Sequence, residues 1–118
     1  MEPKSEVVTT VTQVPVIIEV IDGKITCSQD PVKVYKDQEV EWVYHPGGLV
    51  VDFETLRPFG RQQLRAEDKP FVRSGQHDCE VPEDFKYTIS VPVPGVEPLD
   101  PVVDADPRKT PRTNTPNG

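Results

Sequence analysis

Apolar and polar residues alternate with a period of two over several short stretches, and turn-forming residues separate them. The first clear case is VPVIIEVIDGKITCS, where Asp22-Gly23 lies between two β-branched runs. An Asp-Gly pair in that setting predicts a hairpin with a two-residue turn. Such a turn pairs Ile21 with Lys24 and sets Val20 opposite Ile25 and Ile18 opposite Cys27. Val16, Ile18, Val20, Ile25 and Cys27 then share one apolar face, so turn and pattern select the same register. Downstream, Val32 and Val34 flank Lys33, and Val40, Trp42 and Tyr44 alternate with Glu39, Glu41 and Val43. Trp42, the only tryptophan, is expected to anchor a core between two sheets. His45-Pro46-Gly47-Gly48 ends that strand, and LVVDFE reads as a further short one. Phe85, Tyr87, Ile89 and Val91 face inward in the strand predicted over FKYTISV, with Lys86, Thr88 and Ser90 facing out.

Residues 56–76 differ. Arg57, Arg61, Arg65, Lys69 and Arg73 recur every four positions, which is helical spacing. Pro58, Gly60 and Pro70 interrupt any long helix, so the stretch is expected to be a connection with one short helical turn near Gln62 to Ala66. Residues 1–13 read as a flexible or edge-strand lead-in, in which Val7, Val8 and Val11 could join a sheet edge. From Asp104 onward the chain lacks apolar periodicity and is rich in Pro and Thr. Residues 104–118 are therefore expected to be a disordered tail, which leaves 14–103 as one β-sandwich domain.

These elements predict an all-β, Greek-key sandwich of about 6–8 strands. Two stretches give the sandwich a family resemblance. VKVYKDQEVEWVY is similar to the cupredoxin pattern of an apolar strand, a charged turn and then V-x-W/F, and EDFKYTISVPVPG resembles the closing strand of that family. FKYTISVPVPGVEPLDPVV also looks like the tail of small bacterial cupredoxin-like domains without copper ligands. An immunoglobulin-like sandwich shares the same strand pattern. The cupredoxin resemblance implies a site of two imidazoles and a thiolate, often with an axial thioether. It puts the first histidine around Leu49 and Val50 and the cysteine near Ile89 or Ser90. No histidine follows Tyr87, and the only methionine is Met1. The resemblance therefore implies a scaffold without its copper and with no other cofactor.

Composition narrows the partners. The chain of 118 residues suits one domain. A net charge of −7 argues against non-specific binding to nucleic acid or to an anionic membrane. MEPKSEVVTTVTQ has no apolar core of the signal-peptide kind, so a cytoplasmic protein is expected. In a reducing compartment Cys27 and Cys79 would be free thiols, whereas export would permit a bridge between them. Charge is segregated along the chain. Five basic against two acidic residues give 57–73 a net +3, which leaves −10 for the remainder. Such segregation can form a docking patch for an acidic protein partner, because arginine forks grip carboxylates. The plainer alternative is a solvated connection that balances acidic strands nearby. Phe59 and Phe71 are the only aromatics among these arginines, too few for a nucleic-acid platform. Sheet edges and exposed strand faces are a second class of docking surface, one on which the chain could also self-assemble.

Chemistry has one alternative candidate. His77 and Cys79 lie two apart and would share a face in an extended strand; with His45 they make a His₂Cys set suited to copper or zinc. The competing reading is a loop histidine beside a half-buried thiol. A Cys79 nucleophile activated by His77 or His45 lacks an orienting group and an oxyanion motif, and there is no phosphate-binding glycine loop. The first expectation is thus a non-catalytic, metal-free binding or assembly module working through Arg57, Arg61, Arg65, Lys69 and Arg73. The second is a small metal-binding protein.

Overall fold

A computed structural model describes residues 11–110, which form nine β-strands and, among the described residues, no helix. The hairpin predicted around Asp22-Gly23 is present as β1 (Thr12–Ile21) and β2 (Lys24–Cys27). Its register is the one the pattern selects, with Ile21 opposite Lys24, Val20 opposite Ile25 and Ile18 opposite Cys27. Asp22 and Gly23 both have positive φ, 53° and 76°. A tight hairpin turn that follows the strand twist requires this, and Asp-Gly tolerates it.

The remaining strands are β3 (Val32–Val34), β4 (Gln38–Val43), β5 (Val50–Phe53), β6 (Gln63–Arg65), β7 (Phe71–Arg73), β8 (Glu83–Ser90) and β9 (Val102–Ala105). They form two open mixed sheets, in the orders β2-β1-β4-β7 and β3-β9-β8-β5-β6, that pack as a sandwich. β1 runs parallel to β4 and β3 parallel to β9; the other neighbours are antiparallel. β2 and β3 follow one another through 28–31, where the chain leaves the first sheet for the second at Pro31. With β1 taken as running upward, the registers place loops 22–23, 44–49, 66–70 and 91–101 at the upper end. Loops 35–37, 54–62, 74–82 and 106–110 lie at the lower end.

Alternation builds the core. Val16, Val40 and Trp42 from the first sheet meet Val51, Phe53, Tyr87, Ile89 and Val103 from the second, all essentially inaccessible to solvent. Trp42 is the junction. Its ring centroid lies 5.4 Å from that of Tyr87, and its indole Nε1–H donates to the Tyr87 hydroxyl at 3.1 Å. Phe53 stacks on Tyr87 at 5.3 Å, and Phe59 meets Phe53 edge-on at 5.5 Å. Tilted and edge-on aromatic pairs of this kind add to the burial of their area. Burial pushes the Tyr87 phenol well above its ordinary pKa, so it stays protonated.

Several expectations need correction: nine strands form where about 6–8 are expected. The short helical turn near Gln62 to Ala66 is instead strand β6, paired with β5 through Val50–Arg65, Val51–Leu64 and Asp52–Gln63. A spacing of four is also twice the strand period. Gln63 and Arg65 are exposed around a buried Leu64, and that alternation decides the structure. The tail boundary at 104 falls inside β9. Val103 and Ala105 fill inner-face positions opposite Phe85 and Glu83, and Asp106 is buried. At the other end β1 begins at Thr12 as an interior strand, between β2 and β4. Val7, Val8 and residues 111–118 lie outside the described residues.

Substituting Tyr87→Phe removes the acceptor for a fully buried indole N–H. It should cost about 1–3 kcal/mol, read as a lower urea midpoint with an unchanged m-value.

Candidate functional site

The positions to which the resemblance assigns copper ligands do come together. Val50 and Ser90 are direct neighbours across β5 and β8, and Val51 faces Ile89. Leu49 is fully buried at the start of this pair. Leu99 closes the other side of Ile89 with two backbone hydrogen bonds, Ile89 N–H to Leu99 O at 2.8 Å and Leu99 N–H to Ile89 O at 3.1 Å. Above them loop 44–49 packs on loop 91–101 so closely that a Cβ on Gly48 would lie 2.6 Å from Pro92 Cγ. At this upper end leucine, valine, isoleucine and serine occupy positions 49, 50, 89 and 90. On the β2 flank of the same end, a groove of about 520 Å³ has Asp22, Lys24 and Glu97 on its rim and Ile25 and Leu99 in its lining.

His45 is exposed in the turn just above β4, where the Gly47 N–H closes on the Tyr44 carbonyl at 2.9 Å. His77 and Cys79 are at the opposite end. Gln76 donates its side-chain amide to the Lys36 carbonyl below β4, so the length of that strand, roughly 20 Å, separates them from His45. His77 and Cys79 themselves are neighbours, both buried. The Cys79 N–H donates to His77 Nδ1 at 3.2 Å, so Nε2 carries the ring proton and donates it to the Asp106 carbonyl at 3.0 Å. Both ring nitrogens therefore have backbone partners. Burial lowers the His77 pKa and raises that of the Cys79 thiol, which keeps both groups neutral near pH 7. The Arg57 guanidinium approaches Cys79 Sγ at 3.6 Å. Cys27, partly buried at the end of β2, is like Cys79 a free thiol. Among the described residues no group of three His, Cys, Asp or Glu side chains is placed to hold a metal ion.

The basic residues divide into two sets. Arg57 and Arg73 are already engaged. Arg57 pairs with Glu83 at 3.3 Å and lies over Phe85, while Arg73 pairs with Glu41 at 2.9 Å and lies over Phe71. Arg61, Arg65 and Lys69 are exposed, and among the described residues none of them has a carboxylate within ion-pair distance. Arg65 Nε donates to the Gln63 side chain at 2.7 Å, which holds the guanidinium on the outer face of β6. β6 and β7 are the terminal strands of the two sheets on one flank, joined by 66–70. The fold thus gathers Arg61, Arg65, Lys69 and Arg73 on that flank, whereas Arg57 sits at the lower end.

Sequence reasoning misses an ionic clasp at the lower end. The Asp106 carboxylate is buried and takes both arms of Arg108, at 3.0 and 2.7 Å, with Lys33 at 3.5 Å. The Arg108 hydrogen bonds hold Asp106 well below the usual carboxylate range. Thr110 then donates its N–H and hydroxyl to Asp37, and the Asp37 carbonyl accepts the Thr12 N–H at 3.2 Å. Both ends of the described chain therefore converge on one residue. The only sequence signal is the acid-to-base spacing in Asp106-Pro107-Arg108, hidden within a stretch of disordered composition.

No protein-family model matches the chain, and no curated protein is similar to it.

Because His77 is held neutral below its unfolded pKa, the unfolded chain binds the extra proton first as pH falls. The stability conferred by this group is complete above about pH 6.5 and is lost as the solution is acidified below it. The loss is at most about 1.4 kcal/mol per pH unit. Denaturant titrations between neutral and mildly acidic pH should show this slope in the wild type and a flatter one in His77→Gln.

Proposed function

We propose that the protein is a metal-free, cupredoxin-like Greek-key domain that serves as a non-catalytic binding or assembly module, docking an acidic protein surface on the flank of Arg61, Arg65, Lys69 and Arg73. The observation that carries this reading is the flank itself: four exposed cations on the terminal strands of both sheets and the loops that adjoin them, three of them without a carboxylate within ion-pair distance among the described residues. A cluster of that kind on a chain of net charge −7 is an electrostatic landmark that steers and orients an acidic partner.

The scaffold assignment has separate support. Two parallel pairings and a chain that changes sheet between β2 and β3 suit a Greek-key sandwich better than a simple meander. The neighbouring pair Val50–Ser90 lies where the resemblance calls for ligands, and leucine, valine, isoleucine and serine occupy the place. The alternative reading, metal binding by His45, His77 and Cys79, requires one side chain to reach the other end of β4 and His77 to give up a backbone hydrogen bond.

Titration of the reduced protein with Cu(II), Cu(I) and Zn(II) should produce neither a thiolate-to-copper absorption band nor a rise in melting temperature. Tight stoichiometric binding lost in Cys79→Ser would replace this reading with the metal-binding one. On immobilised poly-L-glutamate the wild-type protein should be retained at low ionic strength despite its net charge. Retention should vanish in the double variant Arg61→Glu, Arg65→Glu and at about 1 M salt, where screening acts within roughly 3 Å. Equal retention of variant and wild type would remove the basic flank from consideration.

A further inference from the structure

We infer that the outer edge of β6 is the docking line, and that its ligand is an extended acidic peptide segment which adds to the second sheet as a further strand. The inference rests on the basic-flank reading above and specifies how the partner binds.

Hydrogen-bond geometry fixes which backbone groups are free. Phe53 N–H donates to Gln62 O at 2.7 Å, and Ala66 N–H donates to Leu49 O at 2.9 Å. In an antiparallel pair, bonded positions alternate, so Gln62, Leu64 and Ala66 turn their backbone groups toward β5. Gln63 and Arg65 turn theirs away from it. Among the described residues no other segment bonds to those outward groups. The edge thus offers the backbone groups of Gln63 and Arg65 to a further strand.

Side chains give the edge its selectivity. Gln63 and Arg65 are exposed on one face of the strand, and Arg61, also exposed, lies in the loop just before it. A strand laid beside them places its own alternate residues opposite, close enough for cross-strand pairs. A carboxylate on that face of the ligand would meet Arg65, and one further toward the lower end would approach Arg61 in the loop. Lys69 lies in the turn above, beside the exposed Glu67 and Asp68.

The other edges are less suited. β2 is bridged at Lys24 to Glu97 and gives way at Pro31 to β3. β7 carries Arg73, already paired with Glu41. Cations on an edge commonly protect it from pairing with its like. The same charges that repel a second β6 would attract an acidic strand, so protection and recognition are compatible here.

The test compares a short capped peptide alternating glutamate with threonine against the same peptide N-methylated at every second amide, on the side meant to face β6. Both carry identical charge, but only the first can complete the ladder. Binding is followed by amide chemical-shift changes in the intact protein. The unmodified peptide should shift Gln63 and Arg65 most strongly, and N-methylation should weaken binding by about tenfold or more, since two or more backbone hydrogen bonds are lost. Arg61→Glu with Arg65→Glu should abolish both. Equal affinity for the two peptides, abolished by that double variant, would overturn strand addition and leave the basic flank as a purely electrostatic surface. Binding unaffected by the double variant, or no binding, would overturn the inference; retention on poly-L-glutamate then decides separately whether the flank reading survives.

Discussion

The contact between Trp42 and Tyr87 ties the two sheets together, and most of the structure is arranged to permit it. Trp42 projects from the centre of the first sheet and Tyr87 from the centre of the second. A single hydrogen bond satisfies the indole N–H in a place without water, and the rings of Phe53 and Phe59 close around it. Each of these side chains has a place only if its strand is in the right register, because a slip of one residue would turn it to the outer face. The cluster therefore specifies alignment as well as adding buried area. It also occupies the middle of the sandwich with aromatic rings, so chemistry and recognition are left to the ends, the flanks and the outer faces.

Legibility in the sequence follows from how local the deciding interactions are. The β1–β2 hairpin is readable because turn and pattern agree within a dozen residues. β4 and β8 are readable because their inner faces are large and regular. β6, β7 and β9 are not, for different physical reasons. β6 and β7 are three-residue edge strands whose identity comes from partners distant in the chain, Val50 to Asp52 and Glu41 to Val43. The composition of β9 matches a tail, yet Val103 and Ala105 complete the inner face between β3 and β8. Asp106 extends that misreading. A carboxylate in a proline-rich, charged stretch looks solvated until Arg108 and Lys33 converge on it.

The same distinction applies to the site residues. His45, His77 and Cys79 can be grouped only while strand direction is ignored, because the chain places His45 above β4 and the other two below it. His77 serves the lower end as a backbone strut, linking loop 74–82 to the residue after β9. The basic residues behave in the opposite way. In sequence they form a single series of five, but the fold divides them by partner, with Arg57 and Arg73 bound to glutamates and Arg61, Arg65 and Lys69 left facing solvent. The spacing of four that suggests a helix instead leaves Arg65 on the exposed face of a strand and Arg61 in the loop before it.

Charge segregation and sheet topology then bear on the same flank. The terminal strand of an open sheet exposes unpaired backbone groups, and a protein has to protect that edge or use it. On the β2–β3 flank protection is structural, through the crossing at Pro31 and the bridge to Glu97. On the β6–β7 flank the chain places cations at the edge, which exclude a second copy of the same edge by repulsion but not an acidic strand. A purely protective edge would be served as well by acidic residues, which this chain has in excess elsewhere. Instead it puts Arg61, Arg65 and Lys69 on this flank of a molecule of net −7. That sign agrees with the acidic strand proposed as its ligand.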